Sequence, residues 1–101
     1  MHSHQVYFWL NKELSNSDLL EFEEGLRSLT KISFLSSGYY GKPANTNRVV
    51  VDNSYSYGLT LIFKSIDDHN FYQSSDPDHL AFVKKNESKW IRVQVFDIEI
   101  T

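Results

Sequence analysis

The chain has 101 residues, 41% hydrophobic and 23% charged, the balance of one globular domain with a single core rather than of a disordered segment. Ten lysines and arginines against thirteen acids give a net charge of −3 without a basic stripe, which argues against a nucleic-acid partner. With no cysteine, disulfides, thiolate catalysis and cysteine-held metals are excluded; the apolar stretch Val6 to Leu10 is too short to span a membrane and has no basic leader, so no membrane partner and a cytoplasmic location are expected.

His4 to Leu10, H-Q-V-Y-F-W-L, is β-branched and aromatic and reads as the first strand, with His4, Val6, Phe8 and Leu10 on one face and Gln5, Tyr7 and Trp9 on the other. Because Tyr7 and Trp9 make the second face apolar too, both faces are expected to meet protein, as in a dimer interface. Ser15 with Asp18 forms a capping box, and Leu19, Phe22, Leu26 and Leu29 recur at helical spacing, which predicts an amphipathic helix over 16–30 with Glu21, Glu23, Glu24 and Arg27 outward. Gly25 inside it costs about 1 kcal/mol relative to alanine, and either the packing stripe or a close helix–sheet approach must offset that cost.

A second strand is predicted over 32–41, through Ile32, Phe34, Leu35, Tyr39 and Tyr40, ending at Gly41-Lys42-Pro43. Residues 42–54 form a polar connection broken by Val49, Val50 and Val51, read as a short edge strand or an arm on a partner subunit; a lid over a pocket is the other reading of Arg48 to Asp52. Tyr55 to Lys64 alternates cleanly and is a central strand. Ser65 with Asp68 opens a short helix carrying Phe71 and Tyr72, with a break at Ser74-Ser75. Asp76-Pro77 starts the next helix, whose buried side is Leu80, Phe82 and Val83. In the last strand, Trp90 to Ile100, the apolar positions move from Ile91, Val93 and Val95 to Phe96, Ile98 and Ile100, so a bulge or two burial partners are expected.

This α+β order, with S-Y-S-Y-G-L-T-L-I-F in the middle, F-Y-Q-S-S-D-P-D-H-L-A-F after it and V-Q-V-F-D at the end, resembles the stress-responsive A/B-barrel family over nearly the whole chain. The most specific piece is Tyr72 to Phe82, and Gly41-Lys42-Pro43-Ala44 to Tyr55 looks like a bacterial branch of the family. The resemblance implies a ferredoxin-like βαββαβ domain, a four-stranded antiparallel sheet with helices on one face, pairing with a second copy of itself into a dimeric α/β barrel. Some members of the wider superfamily are plant polyketide cyclases in which a strand histidine, a helix tyrosine and a second histidine line a pocket; the matching positions are His4, Tyr72 and His79. The spacing from Tyr72 to His79 is one residue longer than in the usual pattern, with Ser74-Ser75 where one residue is typical, and this predicts Tyr72 rotated away from His79.

His79 falls near the third position of its helix, where the dipole disfavours imidazolium and leaves a neutral ring able to accept a proton; alternatively it bonds the 73–76 loop and fixes the helix start. Tyr72 either polarises a carbonyl or packs in the core, and His4 shares its face with Val6 and Phe8, a position equally suited to a satisfied core histidine. No cofactor and no metal are expected. His2 and His4 alternate onto one face but lie at a frayed terminus without a third ligand nearby, and Asp67 and Asp68 beside His69 read as acids at a helix N-terminus. No phosphate loop, nucleophile elbow or zinc spacing occurs, against nucleotide enzymes and hydrolases.

The expected pocket is lined by His4, Val6, Phe8, Phe22, Tyr57, Leu59, Tyr72 and His79, and its expected occupant is a small apolar or aromatic molecule. An enzyme version has His79 take a proton beside a carbonyl while Tyr72 or His4 holds the enolate, without a cofactor, as in a polyketide cyclase or isomerase. A third version has the aromatic side chains fill the pocket, leaving a stress-related structural or interaction protein.

Overall fold

The alternation of His4, Val6, Phe8 and Leu10 places them on one sheet face, and in the computed structural model, which describes residues 1–101, their strand β1 (His2–Leu10) is central. It is followed by α1 (Asn16–Thr30), β2 (Leu35–Gly41), β3 (Tyr57–Phe63), α2 (Ile66–Ser74), α3 (Pro77–Asn86), a 3-10 turn (Glu87–Lys89) and β4 (Trp90–Glu99). The sheet order is β2-β3-β1-β4 with every pairing antiparallel, the ferredoxin-like α+β architecture. No helix is long and apolar enough to cross a membrane.

Register sets the core. Phe8 lies opposite Tyr57 and Val93, Val6 opposite Leu59 and Val95, and His4 opposite Leu61 and Asp97, so these share the inner face. Against this face pack Phe22, Leu26 and Leu29 of α1, Tyr72 of α2 and Phe82 of α3. The helix starts are locally encoded. Ser15 and Asp18 form both halves of a capping box; Ser65 accepts from the Asp68 N–H without the reciprocal bond; and Asp76 caps α3 ahead of Pro77.

Several boundaries differ from expectation. β1 begins at His2, because its first residues pair with Phe63 on one side and Glu99 on the other. β2 begins at Leu35; Ile32 is buried, and its own carbonyl closes a turn by accepting from the Leu35 N–H at 3.3 Å. β3 begins at Tyr57, and Tyr55 turns out to pack edge-on against Tyr7 at 5.0 Å. Val49 to Val51 form no edge strand: the Val51 N–H closes a turn on the Arg48 carbonyl, and Val49 and Val50 are exposed. Leu80 is exposed, and the buried side of α3 is completed by Asn86, which donates to the Phe82 carbonyl and accepts from Lys89.

The apolar shift along β4 is not a bulge. The register slip lies at the other end, where Trp9 and Leu10 face Arg92 and Trp90; from Arg92 to Glu99 the pairing is continuous. Val93 and Val95 share the inner face with Val6 and Phe8, whereas Phe96 and Ile98 pair with Gln5 and Ser3 on the outer face. The strand therefore turns its apolar residues to both faces, the inner one toward the core and the outer one, with Phe96 and Ile98, exposed.

Gly25 is explained by α3 rather than by the sheet. A Cβ there would lie 2.9 Å from two ring carbons of buried Phe82 and 3.2 Å from the Asn86 side chain. Gly25→Ala therefore sets a helix-propensity gain of about 1 kcal/mol against an overpacking cost of roughly 1–3 kcal/mol. The expected outcome in thermal and urea unfolding is a loss of stability; a raised midpoint would mean that the α1–α3 contact yields without cost.

Candidate functional site

The helices leave part of the inner face open. α2 packs on β1 and β3, and the inward side chains of β4 remain accessible, Val93 at 37% and Val95 at 40%. A mostly apolar cavity of about 250 Å³ lies there, so the aromatic side chains do not fill the space. Six of the eight expected residues line it: His4, Val6, Phe8, Leu59, Tyr72 and His79. Phe22 and Tyr57 do not. Phe22 is wholly enclosed in the core, and Tyr57, pushed up to about 12 by burial and by its hydrogen bond to Glu23, donates to that carboxylate at 2.8 Å. Leu29, Gln73, Phe82, Val83, Trp90, Val93 and Val95 complete the wall, and sequence reasoning missed them because periodicity reports a face and not which neighbour is uncovered. A larger hollow of about 660 Å³ between α1 and α3 is edged by Glu21, Glu24, Asp78 and Lys85, and its wet, charged lining suits a ligand less well.

Three polar side chains meet at the cavity. His79 is the third residue of α3, and its main-chain N–H donates to Asp76 Oδ2 at 2.9 Å, so the Asp76 carboxylate caps the helix start. Its Nδ1 is buried without a hydrogen-bond partner. Burial and then nearby His4 lower its pKa, outweighing Asp76 and the main chain of Tyr72 and Gln73, so the ring is neutral at pH 7. Burial, then the charge of Asp76, raises the Tyr72 phenol above its usual value and keeps it protonated.

The extra residue before Asp76 does not part Tyr72 from His79. Their rings pack at 4.2 Å with a 35° tilt, because the Phe71 carbonyl accepts from both the Ser75 and Asp76 N–H groups and the added residue is absorbed in the turn between α2 and α3. His4 meets the other side of Tyr72 edge-on at 5.9 Å.

His4 is also tied to a polar cluster beyond the cavity. Asp97 Oδ1 lies 2.7 Å from His4 Nδ1, 2.9 Å from His2 Nε2 and 3.5 Å from His69 Nε2. Burial works to raise the Asp97 pKa, but the hydrogen bonds from His4 and His2 outweigh it and hold the carboxyl below its usual value. An ionised carboxylate only accepts, so His4 Nδ1 carries the proton and Nε2 the lone pair. Burial lowers the His4 pKa, with Asp97 opposing.

The expectation of a frayed terminus lacking a third ligand is thus overturned. His2 is in β1 and buried, and α2 and β4 bring His69 and Asp97 to it, with the candidate ligand atoms of all four within 4.8 Å of one another. His69 is likewise more than a neighbour of helix-start acids, being buried against the rings of His2 and His4. One signal for Asp97 was in the sequence: it continues the inward alternation of Val93 and Val95, and a carboxylate on a core face needs a partner.

The architecture recurs in known proteins. A crystal structure of an Arabidopsis thaliana protein superposes with a TM-score of 0.80 at 19% identity, covering 100% of this chain and 96% of that one. A hydroxynitrile lyase from Passiflora edulis has a TM-score of 0.78 at 18% identity, covering 99% and 93%. A dimeric ferredoxin-like protein of unknown function from Thermobifida fusca has a TM-score of 0.77 at 16% identity, covering 98% and 90%. At these identities the likeness is one of fold. No curated protein matches the chain. The stress responsive A/B barrel domain, by contrast, matches residues 3–100, essentially the whole sequence, and the chain belongs to that family.

Proposed function

We propose that the chain binds a small, largely apolar or aromatic molecule bearing a hydroxyl or carbonyl group in the cavity between β1, β4 and the α2–α3 corner. The observation that carries this reading is the mostly apolar cavity of about 250 Å³ at which three polar side chains, His4, Tyr72 and His79, converge. The volume, about 250 Å³, lies just below the usual range of roughly 300–1,000 Å³ for small-molecule sites, which favours a ligand about one ring in size.

A second reading, acid–base catalysis without a cofactor, is favoured by the packing of the Tyr72 and His79 rings at 4.2 Å, which sets a neutral base beside a protonated phenol at the same cavity. In this version His79 removes a proton from carbon adjacent to a substrate carbonyl, the Tyr72 hydroxyl hydrogen-bonds the resulting enolate oxygen, and reprotonation at another carbon returns the proton. One structural neighbour is a lyase and another has no known function, and a shared fold hosts many activities, so the residues and not the scaffold carry this reading.

Self-association through the outer sheet face belongs to the same proposal. Tyr39, Phe96 and Ile98 are exposed there beside half-buried Tyr7 and Trp9, an apolar surface of the kind that a second copy covers, and the Thermobifida fusca neighbour is dimeric.

Three outcomes are expected. His79→Phe, which removes the imidazole nitrogens while keeping a planar ring, should weaken binding of monocyclic phenols and ketones, followed by NMR titration, by at least ~10-fold, about 1.4 kcal/mol; unchanged binding would sink the pocket reading. Because the neutral His79 ring is required and its pKa is lowered, binding or turnover should be flat from pH 10 down to the ordinary histidine value of 6.5 and decline only below it, with no alkaline limb in that range because the Tyr72 pKa is raised. Phe96→Glu should convert the protein to a monomer in analytical ultracentrifugation, and a parent protein that is itself monomeric would remove the self-association reading.

A further inference from the structure

We propose that His2, His4, His69 and Asp97 bind one first-row divalent metal ion of the zinc type per subunit, at a site next to the cavity and separate from the ligand reading above. Three imidazoles and one carboxylate, contributed by β1, α2 and β4, converge with their candidate ligand atoms within 4.8 Å of one another. The three histidines are buried, while the Asp97 side chain is 41% exposed and faces a solvent-connected hollow edged by Met1, Ile66 and Glu99, which supplies an entry path.

Two of the six ligand-atom spacings already match tetrahedral coordination, and all six lie within 4.8 Å. Ligands held at Zn–N and Zn–O distances of about 2.0–2.1 Å stand roughly 3.3 Å apart. His4 Nδ1 and His69 Nε2 are separated by 3.3 Å, and His69 Nε2 and Asp97 Oδ1 by 3.5 Å. The contacts of Asp97 with His4 and His2, at 2.7 and 2.9 Å, are proton-sharing distances that open by about half an ångström when a cation replaces the shared protons.

Proton bookkeeping points the same way. His69 Nδ1 donates to Asn70 Oδ1 at 3.1 Å, a fixed orientation that leaves Nε2 with its lone pair directed at the cluster. That lone pair and the Asp97 carboxylate compete for the single His4 Nδ1 proton, from 3.3 and 2.7 Å. A cation in their midst satisfies the lone pairs together. Nitrogen-rich donors select zinc, cobalt or nickel over magnesium and calcium, which require oxygen, and four protein ligands describe a closed site that holds structure rather than one that activates water. Binding at His4 Nδ1 would move the ring proton to Nε2 and change His4 from acceptor to donor.

The test is titration of the untagged full-length protein with Zn²⁺ at pH 7.5, read by calorimetry and thermal unfolding, and with Co²⁺, read by the visible absorption of tetrahedral cobalt. The expected result is one ion per subunit, a raised unfolding midpoint, tetrahedral Co²⁺ bands, and an affinity lowered at least ~10-fold in both His69→Gln and Asp97→Asn. The partly exposed, nearly isosteric Asp97→Asn decides the matter if His69→Gln fails to fold. Absence of stoichiometric binding overturns the proposal. So does binding that survives both substitutions, because His2 and His4 would then be chelating alone as a terminal peptide. Neither readout involves the cavity, so this proposal and the ligand reading fail separately.

Discussion

β1 is hydrogen-bonded along both edges, and its register on each side decides what every other element meets. The side-chain period of a strand is two, so a slip of one residue would carry His2, His4, Val6, Phe8 and Leu10 together to the outer face. The pairing that buries Val6 between Leu59 and Val95 is also the one that sets His4 beside Asp97. The apolar core and the polar cluster are therefore one solution to one alignment problem. Hydrophobic burial at the Phe8 end fixes the register, and the histidines at the other end inherit their partners from it.

The inner row of β1 consequently runs through a gradient of chemistry. At one end Phe8 packs against Phe22, Phe82 and Trp90 in an aromatic group. At the other, His2 and His4 share the Asp97 carboxylate and touch the His69 ring. The cavity lies between these ends, and His4 belongs to both cavity and cluster. Its two ring nitrogens are thus in different settings: Nδ1 is tied to Asp97, and that tie determines what Nε2 offers. The α2–α3 corner adds Tyr72 and His79, with the Asp76 carboxylate capping the helix through the His79 main-chain N–H.

Membership in the stress responsive A/B barrel family accounts for the scaffold and leaves the chemistry to particular side chains. Burial makes His79 and His4 harder to charge and Tyr72 harder to ionise, so the groups around the cavity are neutral near pH 7. A neutral, mostly apolar enclosure with oriented hydrogen-bonding groups suits uncharged ring compounds better than phosphates or carboxylates.

The sequence alone determined the features that depend on neighbours a few residues apart. Ser15 and Asp18 bounded α1, Asp76-Pro77 started α3, and strict alternation assigned Val6, Phe8, Leu59 and Leu61 to a buried face, because capping and periodicity act within a turn or a strand. Family likeness added His4 on the first strand, with Tyr72 and His79 in the 72–82 run, as a group that the fold brings to one cavity. Tertiary structure alone decided that Phe22 and Tyr57 turn away from the cavity, that Gly25 makes room for Phe82, and that His2, His69 and Asp97 meet. His4 and Asp97 are 93 positions apart, and His4 and His69 are 65 apart. Local pattern states the face on which such residues lie, but only the three-dimensional packing of sheet and helices states which of them come within bonding distance.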